Sequence, residues 1–155
     1  MSEQTTAFEA VNQELVAFRV SEQDFCIDIM SVREIRGWTQ ATVLPHAPDY
    51  VKGVVNLRGA VVPVLDLSAR LGLGTHEPGS RHVIIIVIIN NQTVGLLADV
   101  VSDILSVSTK QFQPVPDIAS EAAKVYIDGV IVNDDRMIRK INLQRLIPLS
   151  QELAA

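Results

Sequence analysis

The chain repeats itself. Phe25-Cys-Ile-Asp-Ile-Met-Ser-Val-Arg-Glu-Ile35 aligns without a gap on Val94-Gly-Leu-Leu-Ala-Asp-Val-Val-Ser-Asp-Ile104, an offset of 69 positions. Further on, Tyr50-Val-Lys-Gly-Val-Val55 lies on Tyr126-Ile-Asp-Gly-Val-Ile131, and Leu65-Asp-Leu67 lies on Ile141-Asn-Leu143, at an offset of 76. The change between the two offsets is one insertion, placed in the Pro-containing stretch around Gln111 to Ser120. A pattern written twice predicts two similar units. With 155 residues the chain is about the size of one domain, so the units must be small and share contacts. The halves run over roughly residues 14–72 and 81–149, inside one body spanning 14–150. Residues 1–13 and 151–155 are expected to be flexible ends.

Each half reads as short β-branched strands separated by turn residues. In the first, Leu15 to Val20, Phe25 to Ile29, Val54 to Leu57 and Ala60 to Leu65 read as strands, with turns at Ser21 to Asp24 and at Arg58-Gly59. In the second, Val83 to Ile89 and Thr93 to Ala98 flank Asn90-Asn91. The run from Val83 to Ile89 has no polar alternation, so it predicts a strand covered on both faces, and the other half is the natural cover. Asp66 is placed to cap a helical turn through Leu71, with Arg70 near its end and Gly72 just beyond. Pro63 marks its strand as an edge or a bulge. The fold class is all-β: two small antiparallel barrels, with a single sandwich of eight to ten strands as the alternative.

Composition removes several functions. The net charge of −5 and the 5% aromatic content leave neither a basic footprint nor stacking platforms, so no nucleic acid is expected as a partner. The first ten residues carry Glu3 and Glu9 and no basic stretch before an apolar one, so no secretory signal is read and a cytoplasmic location is expected. The run Val83 to Ile89 is far too short to span a bilayer as a helix, so no direct membrane insertion is expected. Cys26 is the sole cysteine; it excludes an internal disulfide and a cysteine-cluster metal site, and is read as a buried free thiol.

The residues show no catalytic set. His46, His76 and His82 lack the helical ligand spacing of a zinc site. A loop site made by His76, Glu77 and His82 beside Pro78 and Gly79 reads as solvated loop instead. Leu71-Gly-Leu-Gly-Thr75 lacks the spacing and the lysine of a phosphate loop. The pairs Asp24 and Asp28, and Asp99 and Asp103, read as caps and surface charge, and Asn133-Asp-Asp135 before Arg136 as turn chemistry. No metal, cofactor or catalytic residue is expected, and no enzyme.

The stretch Tyr50-Val-Lys-Gly-Val-Val-Asn-Leu-Arg-Gly-Ala-Val-Val-Pro-Val-Leu-Asp-Leu67 strongly resembles the chemotaxis coupling proteins of the CheW family. Cys26 to Gly37, Val94 to Leu105 and the terminal hairpin add to the resemblance, which covers Glu14 to about Leu149. It implies two intertwined subdomains, SH3-like barrels of five strands each, packed side by side with short helical turns. It also implies a non-catalytic adaptor that couples chemoreceptors to the histidine kinase CheA in arrays at the inner face of the membrane. The alternatives are a coupling protein of another chemosensory output, such as pili or development, or a small ligand-binding barrel.

The implied partners are the tip of the receptor's cytoplasmic helical hairpin, bound in a groove between the barrels, and the kinase's regulatory domain, bound at the barrel ends. The receptor groove implied by the resemblance includes Val32, Glu34, Ile35, Gly37, Lys52, Gly53 and Arg58, with Val94, Leu96, Val100 and Val101 from the second half. The last strand, Arg136-Met-Ile-Arg-Lys-Ile141, departs from the family, which is usually apolar where Arg139 and Lys140 stand.

Overall fold

The structure is a computed structural model that describes residues 12–75, 77–115 and 121–147. Among the described residues, eleven strands form two sheets. They are β1 (Asn12–Val20), β2 (Gln23–Asp28), β3 (Val32–Gly37), β4 (Val51–Leu57), β5 (Ala60–Asp66) and β6 (Val83–Ile89). After these come β7 (Gln92–Ala98), β8 (Val100–Ser108), β9 (Phe112–Gln113), β10 (Ile127–Asn133) and β11 (Arg136–Ile141). Three short helices, α1 (Leu67–Arg70), α2 (Glu121–Tyr126) and α3 (Leu143–Leu146), follow or precede hairpin strands.

The sheet orders are β8-β1-β2-β11-β10-β9 and β3-β6-β7-β5-β4. Applying the repeat, β1, β2, β3, β4 and β5 correspond to β6, β7, β8, β10 and β11, so the two orders are the same order written twice. The halves have exchanged their first two strands: β1 and β2 join the sheet built from the second half, β6 and β7 the sheet built from the first. Two small barrels side by side result, and no single sandwich forms. One sheet holds the expected five strands. The other has a sixth because Gln113 pairs with Val130, where its counterpart in the first half is a lone bridge, Thr42 to Val54. Exchange also makes each barrel less than wholly antiparallel, since β5 runs parallel to β7 and β11 parallel to β2.

Three cores follow from the two-residue period of the strands. Leu15, Ala17, Cys26, Leu105, Val107, Ile131 and Ile138 fill the barrel that contains β1. Leu57, Val62, Val64, Ile84, Ile86 and Leu97 fill the other. The alternate residues of the same strands, among them Val16, Phe18, Phe25, Ile27, Leu65, Ile85, Val87, Val94 and Leu96, make the largest core, between the barrels. The all-apolar run of β6 is thereby buried on both faces, with Ile84 and Ile86 inside its barrel and Ile85, Val87 and Ile89 in the junction.

Local chemistry agrees with the expected turns. Asp66 accepts from the backbone N–H of Ser68 and Ala69 and starts α1; Asn142, its repeat counterpart, accepts from Gln144 and starts α3. The first hairpin turns on two residues, Ser21-Glu22, rather than four, because a pair with positive φ matches the twist of the strands it joins. Pro63 sits in β5 opposite Val54, one residue before the parallel ladder to β7 begins at Val64. There β5 has a neighbour on one side only, and the missing N–H breaks no ladder bond.

Gly53 and Gly129 occupy the same place in the two hairpins, each beside a bulge. Gly53 has φ +148, and a Cβ there would lie 2.3 Å from the Thr42 carbonyl oxygen; at Gly129 it would lie 2.9 Å from that of Gln113. Glycine is thus required where a neighbouring backbone crosses the hairpin. Gly53→Ala is expected to destabilise the fold by about 2 kcal/mol or more. Gly37→Ala, with nothing within 4 Å of the added carbon, is expected to stay within about 0.5 kcal/mol. Urea unfolding midpoints compare the two.

Candidate functional site

The expected groove residues fall into distinct environments. On β3 a bulge lies between Val32 and Glu34, and the register pairs Val32 with Val87 and Ile35 with Ile85. Cross-strand partners share a face, so Val32 and Ile35 stand on the junction side. Val32 packs against the junction core, whereas Ile35 is 45% exposed. Gly37 ends the strand in the open. On β8, Val101 packs against the same core, and Val100 is 45% exposed. The repeat places Val101 on Val32 and Ile104 on Ile35, and Ile104 is 61% exposed. Both edge strands of the exchanged sheets therefore carry a half-buried valine followed by an exposed isoleucine.

Glu34 pairs with Ile86 and so faces the other way, on the side of its own barrel. Arg58 reaches it from the β4–β5 turn, with Nη2 2.5 Å from Oε2 and Nη1 3.5 Å from Oε1. The turn holds Arg58 at φ +50 and Gly59 at φ +88, and Asn56 Oδ1 accepts the Gly59 N–H at 2.8 Å. A positive φ is uncommon for arginine, and here it lifts the guanidinium clear of the sheet. Beside this ion pair opens a pocket of about 800 Å³, walled by Val54, Leu57, Val61, Val62, Pro63 and Ile86. The Arg58 hydrogen bond, with the charges of Arg58 and Arg36, holds the Glu34 carboxyl below the usual carboxylate range.

Two expectations need correction. Val94 and Leu96 are wholly buried, because β7 is an interior strand whose alternate side chains face the junction core. They are core residues, and neither side chain is open to a partner. Lys52 and Gly53 lie on β4; Lys52 Nζ is 3.9 Å from the buried Asp66, and Gly53 is buried against Thr42. The structure brings Glu34 and Arg58 into contact and sets Val32, Ile35, Val100 and Val101 on the two edge strands. Ile104 was missed, although the offset of 69 applied to Ile35 points to it.

Several other polar groups are engaged in structure. His82 Nδ1 accepts the Gly79 N–H at 2.9 Å while Nε2 lies 3.3 Å from Asp99, leaving neither ring nitrogen for a serine. Asp99 also accepts the Ser21 N–H, and the Ser21 and Ser68 hydroxyls bond each other. Asp28 caps the turn after β2, and Asp24 and Asp103 both pair with Arg136. Among the described residues no three His, Cys, Asp or Glu side chains gather as a metal site, and His76 lies outside those residues. Cys26 is buried, and burial pushes its thiol up to about 12. The unusual charges of β11 rest on rings, Arg139 over Phe25 at 5.7 Å and Lys140 over Phe112 at 5.5 Å. No described helix is long and apolar enough to cross a membrane.

The CheW-like domain family matches residues 14–151, nearly the whole chain. This chain belongs to the CheW family. A chemotaxis protein CheW of Rhizobium meliloti is 54% identical over 143 residues, covering 92% of each chain. Protein FrzA of Myxococcus xanthus, another relative, is 27% identical over 144 residues, covering 92% of this chain and 89% of its own. The crystal structure of the scaffolding protein TtCheW from Thermoanaerobacter tengcongensis superposes with a TM-score of 0.81 at 31% identity, covering 90% of both chains. The CheW fold accounts for both barrels.

The Glu34 shift has a directional consequence. A carboxyl held low contributes stability that is present above its unfolded titration range and is lost as acid carries the pH through its folded one. In an NMR titration of side-chain carboxyls, Glu34 is expected to titrate below the ordinary glutamates. Arg58→Ala is expected to move it up to join them. An unchanged Glu34 titration in that variant would show that the ion pair is absent in solution.

Proposed function

We propose that this protein is a non-catalytic adaptor that joins chemoreceptors to the histidine kinase CheA at the inner face of the membrane. The observation that carries the reading is the pair of edge strands at the junction. Each presents an exposed aliphatic side chain, Ile35 or Ile104, beside a valine anchored in the shared core. An aliphatic cleft of this kind suits the apolar stripe of a helix, and a few polar groups beside it fix the helix register. The receptor's cytoplasmic helical hairpin is the proposed occupant. Val32, Ile35, Gly37, Val100, Val101 and Ile104 supply contact, and Glu34 and Arg58 supply polar direction. Lys52 and Gly53 support the hairpin that carries Arg58. The kinase's regulatory domain is the second partner, at the barrel ends.

Arg58 is suited to this work because its fork matches carboxylates and exposed carbonyls at a helix end. Identity of 54% to a chemotaxis protein CheW supports the chemotaxis output.

Co-sedimentation with a receptor signalling domain and the kinase tests the reading, together with receptor control of kinase activity in the mixture. Arg58→Glu reverses a charge on a side chain that is 69% exposed. It is expected to weaken receptor binding about tenfold or more, the scale of one lost charged contact. The thermal midpoint should hardly move, because exposed ion pairs contribute little to stability. A large fall in the midpoint with binding intact would assign Arg58 to structure, and no ternary complex with the parent protein would refute the adaptor reading.

A further inference from the structure

We infer that Arg70 is the positioning residue that fixes the orientation of one barrel against the other, and with it the shape of the cleft between them; the second part rests on the adaptor reading above. Arg70 ends α1 and is half-buried. Its guanidinium carbon lies 4.0 Å from the centre of the Tyr50 ring and 5.1 Å from that of Tyr126, and its Nε donates to the Leu146 carbonyl at 2.7 Å.

The repeat gives these contacts their meaning. Tyr50 and Tyr126 are the same position in the two halves, and Leu146 occupies in the second half the place that Arg70 holds in the first. One side chain thus touches both copies of a tyrosine and the backbone of its own counterpart. That is possible only near the axis that relates the halves. Each tyrosine is tied to its own barrel by the same bond. The Tyr50 carbonyl accepts the Asp66 N–H at 2.7 Å, and the Tyr126 carbonyl accepts the Asn142 N–H at 2.8 Å. Tyr50 leads into β4 of one sheet and Tyr126 into β10 of the other.

The chemistry supplies what the junction core lacks. Apolar burial is non-directional, so a layer of valine, leucine and isoleucine resists separation more than it resists a small slide. A planar cation facing two rings, with its Nε–H fixed on a carbonyl, has a preferred position and rotation. Lysine at this place would keep a charge near a ring and lose the planar fork.

Spin labels on two exposed strand positions, one per barrel, report the orientation: Val61→Cys on β5 and Ser106→Cys on β8. Cys26 is buried and stays unlabelled in the native state. In this background Arg70→Ala is expected to shift or broaden the inter-barrel distance. It is also expected to lower affinity for the receptor signalling domain about tenfold, the order lost with preorganisation. Arg70→Lys should fall between, and it decides the matter if Arg70→Ala does not fold. A variant whose midpoint falls while its distance distribution matches the parent overturns the inference and leaves Arg70 a merely stabilising residue. A moved distance with unchanged affinity overturns the link to the cleft. Failure of the parent to bind the receptor domain refutes the adaptor reading instead, and the distances still decide the role of Arg70.

Discussion

Exchange of strand pairs obliges β1, β2, β6 and β7 to bury both of their faces, because each lies inside one barrel and against the other. Val16, Phe18, Phe25 and Ile27 from the first half meet Ile85, Val87, Val94 and Leu96 from the second in a core larger than that of either barrel. Burial of each such side chain contributes roughly 1.5–3 kcal/mol before entropy is charged against it. A barrel freed from its partner would lose this layer and expose an apolar face. Neither half supplies all the strands of one barrel, so the chain gains its stability as one body although the pattern is written twice.

The exposed aliphatic side chains follow from where that layer stops. Interior strands have a neighbour on each side, and β3 and β8 do not. At these edges the alternation continues outward, so Val32 and Val101 are half-covered, and Ile35 and Ile104, three residues on, are left in the open. The bulge in β3 turns Glu34 away from the junction side to meet Arg58, which stands on a turn held by Gly59 and Asn56. An exposed aliphatic side chain and an ion-paired carboxylate thereby lie on one strand, on opposite faces of it. Among the described residues, the buried Asp66 and Ser68 serve caps and turns.

Much of this was legible in the residues because the repeat is a physical constraint and not only a resemblance. The hairpins, the cap at Asp66, the two-sided burial of Val83 to Ile89 and the insertion all follow from periodicity and turn chemistry. Intertwining came with the resemblance, and which strands exchange was not legible in the residues, since β5 pairing with β7 in place of β2 changes no local pattern. Long-range pairing is decided by which faces meet, and the two halves offer nearly equal faces. The resemblance put Val94 and Leu96 in the groove, and the residues could not correct it, because an apolar residue beside a junction reads alike whether it lines a cleft or fills a core. Ile104 was available by symmetry from Ile35. The role of Arg70 needed coordinates, as its three contacts lie 20, 56 and 76 positions away.

The shared core predicts a single cooperative unit, and two native reporters stand in different barrels. Trp38, the sole tryptophan, packs against the core of one barrel, and Cys26 lies inside the other. Trp38 fluorescence and the reactivity of the Cys26 thiol, followed together across a urea titration, should give one transition with the same midpoint. Two separate midpoints, one barrel opening while the other still protects its reporter, would contradict the dependence of both barrels on the layer between them.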